Sequence, residues 1–255
     1  MNVQAQPKKL SKAQRILLVV GIVLVVLVGA CVWYVNDYYH ADATALAAVA
    51  DDDGAADGVT VRTLADGSIA FVPAHPTAGL IFYPGGKVQP EAYAPLLERC
   101  AGQGILCVLV KPLFNLAILD TNAADGIQEQ FPAITYWIIA GHSVGGVAAS
   151  DYVSHHEDSF DAIVFLAAYP SADLKSFAGS ALSITGGNDQ VLKRDKYNEA
   201  QVNLPSDAHE LEIVGGNHAY YGNYGEQAGD GTATITREEQ RAQTTSAIVV
   251  LARGA

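Results

Sequence analysis

Apolar and polar positions divide the chain into three regimes. Residues 16–35 (ILLVVGIVLVVLVGACVWYV) form an apolar run with no charged side chain. At 1.5 Å per helical residue, about 20 such residues span roughly 30 Å, the thickness of a bilayer's hydrocarbon core. Residues 36–57 are rich in Ala and Asp, with Asp51-Asp52-Asp53-Gly54 among them, and read as a linker or a short juxtamembrane helix. From Val59 onward, short apolar runs alternate with helix-length segments. Val59–Leu64 and Ser68–Val72 flank Asp66-Gly67, a hairpin signal. Gly79–Tyr83, Ile105–Val110, Tyr136–Ala140, Ala162–Ala168, Leu182–Thr185 and Glu210–Val214 are almost continuously apolar, as parallel strands buried on both faces require. Helices are predicted over Pro90–Ala101, Ala124–Gln130, Val144–His155, Arg194–Val202 and Arg237–Leu251, the last with Glu238 and Glu239 in its first turn.

A leading hairpin followed by strand–helix alternation predicts an α/β domain: a mostly parallel, doubly wound sheet with an antiparallel N-terminal hairpin. The predicted organisation is a basic tail (1–15), a transmembrane anchor (16–35), a linker (36–57) and one α/β domain (58–255).

Charge orients this arrangement. Lys8, Lys9, Lys12 and Arg15 precede the apolar run, and Asp37, Asp42 and Asp51 follow it. The positive-inside rule keeps the N-terminus in the cytoplasm and exports the domain. Two alternatives stay open, a cleaved signal peptide and a lipobox-like Leu27-Val28-Gly29-Ala30-Cys31 that would lipidate Cys31; both also export it. Half of the residues are hydrophobic and 16% are charged, which excludes a disordered chain. Mean hydropathy is +0.17. A net charge of −12 excludes a protein built to bind a nucleic-acid backbone. Three cysteines are too few for a disulfide scaffold, and no CxxC or HExxH spacing calls for a metal. Cys100 and Cys107 flank a helix-to-strand turn and are either an oxidisable pair or two separate buried thiols.

Candidate chemistry centres on Gly141-His142-Ser143-Val144-Gly145, between an apolar strand and a helical segment. A sharp strand-to-helix turn there presents the serine, and the helix start aims backbone N–H groups beside it. A serine hydroxyl needs a base. Functional groups of open parallel sheets gather beyond the carboxyl ends of the strands. Asp189 follows the strand Leu182–Thr185, and His218 follows Glu210–Val214. The order Ser143, Asp189, His218 is that of an α/β-hydrolase catalytic triad. Asp173 is the reserve acid. His142 is read as packing beside the site, and His75, His155, His156 and His209 as surface or turn residues. The second oxyanion donor, besides Val144 N–H, is expected from Gly86 or Lys87 in Tyr83-Pro84-Gly85-Gly86-Lys87.

Together, Phe82-Tyr83-Pro84-Gly85-Gly86-Lys87-Val88, Ala92-Tyr93-Ala94-Pro95-Leu96, Phe114-Asn115-Leu116-Ala117, Gly141-His142-Ser143-Val144-Gly145-Gly146 and Gly215-Gly216-Asn217-His218 through Tyr224-Gly225 resemble an esterase-like α/β-hydrolase domain family. Many of its bacterial members carry an N-terminal membrane anchor. The resemblance covers about Val59 to Leu251 and implies hydrolase chemistry with Ser143 as nucleophile, Asp189 as acid and His218 as base, without fixing a substrate. One departure is Lys111-Pro112-Leu113-Phe114, where a proline directly before the phenylalanine is expected.

The expected activity is hydrolysis of an ester-like bond in a small acyl substrate, with no metal or organic cofactor. The alternatives are acyl transfer by the same triad, or a catalytically silent envelope protein that binds a ligand. About a dozen residues separate Pro170 from Leu182, too few for a cap domain, so the cleft is expected to be open and suited to small or surface-presented acyl groups. Phe114, Asn115, Tyr220 and Tyr221, with Tyr224, are its candidate walls.

Overall fold

A computed structural model describes residues 10–50 and 58–254; the tail residues 1–9 and the acidic stretch 51–57, both named above, lie outside them. The chain divides after Asp37 into two units.

The first is one helix, α1 (Lys12–Asn36), long and apolar enough to cross a membrane. It starts before the apolar run itself. Ser11 and Gln14 form a reciprocal cap, with Gln14 N–H donating to Ser11 Oγ (3.2 Å) and Ser11 N–H to Gln14 Oε1 (2.9 Å).

The second unit begins at Tyr38 and holds an eight-stranded sheet: β1 (Val59–Thr63), β2 (Ile69–Pro73), β3 (Ala78–Tyr83), β4 (Ile105–Leu109), β5 (Trp137–His142), β6 (Ala162–Leu166), β7 (Ser180–Gly186) and β8 (His209–Ile213). Their order is β1-β2-β4-β3-β5-β6-β7-β8, and β2 alone runs against the rest. The Asp66-Gly67 hairpin forms as expected, with Gly67 at φ 89° and Thr63 opposite Ile69. Two apolar layers share each central strand by alternation: in β3, Leu80 and Phe82 join one, Ile81 and Tyr83 the other. The first layer includes buried residues of α2 (Ala43–Ala50), α3 (Ala94–Ala101) and α6 (Arg237–Arg253), and the second those of α4 (Val144–His155). The remaining helix, α5 (Arg194–Ala200), lies between β7 and β8 in sequence.

Two expectations change. The segment read as a linker or a short juxtamembrane helix contains a helix, α2, but the fold incorporates it: Ala45 is fully buried, Asp42 caps the helix through Ala45 N–H (2.9 Å), and Asn223 Nδ2 donates to the same carboxylate (3.0 Å). Alanines lie flush against α3, so a run that looks featureless in sequence is a packing surface. The helix expected over 124–130 is replaced by 3-10 turns at Thr121–Ala124 and Gln128–Gln130. Gly126 at φ 72° breaks the helical path, and the Tyr83 hydroxyl accepts the Ala124 N–H (3.1 Å). Cys100 and Cys107 are buried free thiols. The crossover from β6 to β7 (residues 167–179) contains no helix, in keeping with the absence of a cap.

If α2 is part of the core, Ala45→Leu overpacks it and costs about 1–3 kcal/mol. Thermal unfolding measures this; a linker residue would accept leucine without a change in Tm.

Candidate active site

Strand β5 ends at His142, α4 begins at Val144, and Ser143 makes the turn alone at φ 52°, ψ −121°. A non-glycine residue in this region carries about 1–3 kcal/mol of strain and persists only where its surroundings fix it. Two glycines permit it. A side chain at Gly145 would strike the carbonyl oxygens of Tyr83 and Pro84, and one at Gly141 would strike the Gly145 backbone. Ser143 N–H donates to Leu166 C=O (2.9 Å), tying the turn to the end of β6. Val144 is the first helical residue, so its N–H has no partner inside the helix.

Asp189 and His218 meet. His218 Nδ1 lies 2.9 Å from Asp189 Oδ2, with both side chains almost wholly buried. Asp189 Oδ1 accepts the N–H groups of Val191 and Leu192, each at 2.8 Å. Burial alone would raise the Asp189 carboxyl; the His218 hydrogen bond and charge, with the two N–H groups, hold it below its ordinary range. An ionised carboxylate only accepts, so the proton of this bond belongs to His218 Nδ1, and Nε2 is the basic nitrogen. Nε2 is buried and has no hydrogen-bond partner; Ser143 Oγ does not bond it in this conformation. The two residues nonetheless share one neighbourhood, because the ring of His142, next to Ser143, is 4.6 Å from the His218 ring.

The oxyanion expectation narrows. Lys87, at φ 58°, spends its N–H on Asn115 C=O (2.8 Å), so the donor expected from Gly86 or Lys87 is not Lys87. Gly86 packs against Val144: a Cβ placed on it would lie 3.3 Å from Val144 Cβ.

The expected pocket walls divide. Phe114 is exposed, at φ 57°. Asn115, at φ 56°, supports the 84–87 loop through its carbonyl. Tyr221 is not a wall: it is fully buried, and its hydroxyl donates to Ile184 C=O (3.2 Å) beneath the His142 ring. Tyr224 is buried as well. Its ring centre lies 5.6 Å from that of Tyr39 and 6.3 Å from that of Tyr93. Tyr220 is half-buried under Arg237, 4.6 Å from ring centre to guanidinium carbon. The reserve acid Asp173 is exposed and paired with Lys175 (2.9 Å), so it does not serve the site.

Sequence reasoning missed three supporting residues. Gln240 clamps the segment before His218, accepting Asn217 N–H (3.0 Å) and donating to Asn217 C=O (2.8 Å). Asp230 accepts Ala219 N–H (2.9 Å). The Tyr93 hydroxyl accepts Gly85 N–H (3.0 Å) and lies 2.7 Å from His142 Nδ1. Only Tyr93 left a signal, as part of a recognised motif without a role.

Residues 79–242 match the model of the alpha/beta hydrolase family. The chain belongs to that family. Solved structures share the hydrolase fold at low identity. A protein from Thermus thermophilus, TT1662, is 13% identical with a TM-score of 0.56, covering 76% of this chain and 98% of its own. A CIB-like hydrolase from Thermoplasma acidophilum is 13% identical with a TM-score of 0.53, covering 76% and 100%. A dienelactone hydrolase from Anabaena variabilis is 14% identical with a TM-score of 0.54, covering 74% and 96%. No curated protein sequence matches this chain. Among its described residues, no group of three or more His, Cys, Asp or Glu side chains is placed to hold a metal ion.

Burial, then the nearby His218, holds the His142 imidazole well below its ordinary value of 6.5. The folded protein therefore refuses a proton that the unfolded chain accepts below that value, and the associated stability is present above pH 6.5 and lost as pH falls beneath it. His142→Gln should flatten the stability profile in that window by up to about 1.4 kcal/mol per pH unit, read from denaturant unfolding at several pH values. Parallel profiles for the two proteins would place the proton elsewhere.

Proposed function

We propose that this hydrolase cleaves an ester-like acyl bond through Ser143, His218 and Asp189, on the extracytoplasmic side of the membrane that α1 crosses. The observation that carries the reading is the buried His218–Asp189 hydrogen bond, which fixes the imidazole with Nε2 as the open basic position. Ser143 on its strained turn supplies the nucleophile one residue from the His218 contact.

The steps follow from these atoms. Ser143 Oγ attacks the acyl carbonyl as its proton passes to His218 Nε2, and Asp189 holds the resulting imidazolium in place. The carbonyl oxygen, now anionic, is received by the N–H groups of Val144 and Gly86. Collapse breaks the bond to the leaving alcohol, which takes the proton from Nε2. Water then attacks the acyl enzyme, giving its proton to Nε2, and the carboxylic acid departs as Ser143 recovers its hydrogen.

The Phe114 side and the Tyr220 side are the open flanks of this reading, Tyr221 having gone to the core. The four basic residues before the apolar run support the export of the domain.

Ser143→Ala should lose all labelling by a fluorophosphonate probe that marks the wild type, and equal labelling of both proteins overturns the assignment. Asp189→Asn should keep the fold while lowering kcat on an aryl ester by about 10³–10⁴-fold, because the imidazole is no longer held in the reactive tautomer.

A further inference from the structure

Among the described residues from Tyr38 onward, eight large apolar side chains stand exposed. Leu46, Val202 and Val214 lie far apart in sequence, and Val250 borders a groove it shares with Leu182, Leu211, Ala247 and Leu251, of which it alone is strongly exposed. The other four, Leu113, Phe114, Ile118 and Leu119, share one short loop after β4, each between 53% and 61% exposed. Single exposed apolar residues are ordinary, whereas a concentrated group marks a surface that meets something apolar.

The loop presents them by construction. Two 3-10 turns, Leu113–Asn115 and Ala117–Leu119, are closed by Asn115 N–H to Pro112 C=O (3.2 Å) and Leu119 N–H to Leu116 C=O (2.9 Å). Ala117 is buried and roots the loop. Its flanking acid, Asp120, turns a carboxylate oxygen back to Leu113 N–H (3.1 Å). Residues 113–119 themselves carry no charge, although residues 36–255 carry a net −16.

Hydrogen bonds connect this loop to the point where the chain enters the domain. Asn115 C=O accepts Lys87 N–H (2.8 Å), Lys87 C=O accepts Tyr39 N–H (2.8 Å), and Tyr39 C=O accepts Gln89 N–H (2.9 Å). One residue, Lys87, therefore separates the apolar loop from Tyr39. Tyr39 follows Asn36, the last residue of α1, by three positions, a covalent reach of at most about 11 Å.

We propose that the 113–119 loop beds Leu113, Phe114, Ile118 and Leu119 into the surface of the bilayer in which α1 is anchored, and that the site takes acyl amphiphiles presented by that membrane. The docking rests on α1 as a retained anchor, and the substrate class rests also on the hydrolase reading of Ser143. With an acidic domain, attraction to anionic headgroups cannot supply the contact; apolar insertion does.

The full-length chain, reconstituted in phosphatidylcholine nanodiscs in a Trp33→Phe background, provides the test; the remaining tryptophan, Trp137, lies in the core. Acyl chains brominated near the headgroup should quench the tryptophan of a Phe114→Trp variant by about twofold or more and leave that of a Val214→Trp variant unchanged, at low and high salt alike. Equal, weak quenching at the two positions overturns the docking. So does an unquenched Phe114→Trp variant whose loops cross-link between copies, which would make the loop a self-association surface.

For the substrate class, Leu113→Ser/Ile118→Ser/Leu119→Ser should lose roughly tenfold turnover of a long-chain acyl ester held in the nanodisc, while turnover of a water-soluble aryl ester stays within about twofold. Equal retention or equal loss on both esters overturns it. A wild type that turns over neither ester and takes no fluorophosphonate label ends the hydrolase reading and the substrate class with it, while the quenching still decides the docking.

Discussion

The backbone contact between Gly145 and the carbonyl oxygens of Tyr83 and Pro84 sets the rest of the site. β3 and β5 are parallel neighbours with Tyr83 beside Gly141, so the end of one strand and the turn after the other occupy the same corner. A side chain at position 145 would push the start of α4 off that corner. Without one, the helix sits down on the loop after β3, Ser143 is forced over the top, and Gly86 comes against Val144. The position of the Ser143 hydroxyl and of the two proposed oxyanion donors is thus the outcome of one steric condition.

Electrostatics then distinguishes the two imidazoles of the site. His142 and His218 lie with ring centres 4.6 Å apart, but their environments differ. Asp189 brings a full negative charge to His218, while His142, wholly buried, meets the Tyr93 hydroxyl at Nδ1 and His218 itself, and no carboxylate among the described residues. A charged His142 would oppose an imidazolium forming on His218 at close range. Held neutral, it contributes shape and polarity and leaves the proton to its neighbour.

The strands were legible because parallel strands buried on both faces cannot hide: Leu80, Ile81, Phe82 and Tyr83 each face a core. The elbow was legible because its glycines, strand and helix adjoin in sequence, and the Asp189–His218 meeting followed from two strand ends on one sheet edge. What failed to read has a common physical cause, dependence on a partner distant in sequence. The α2 alanines carry no amphipathic stripe, and only the face of α3 shows that they pack. Lys87 looked as good a donor as Gly86 until Asn115, across a loop, took its N–H. Tyr221 and Tyr224 read as pocket aromatics, yet the volume that claims them lies beneath the site. The segment 124–130 reads as a helix, and Gly126, at positive φ, divides it from the turn that ends at Ala124, whose N–H goes to a tyrosine hydroxyl from β3.

The loop after β3 shows how far such distant partners define chemistry. Gly85 N–H goes to Tyr93, Lys87 N–H to Asn115, Val88 N–H to Gly85 C=O and Gln89 N–H to Tyr39. Between Gly85 and Gln89, Gly86 N–H is the one with no acceptor among the described residues. Tyr93 adds a second constraint. Its oxygen accepts from Gly85, so its own proton is free to go to His142 Nδ1, which leaves the remaining proton of a neutral His142 on Nε2. A single hydroxyl therefore fixes the tautomer of the residue before the serine and the position of the loop after β3. Disturbing Tyr93 would loosen both together, although its ring touches neither the serine turn's backbone strain nor the Asp189–His218 bond directly. This shared fastening keeps the loop after β3 and the serine turn in register.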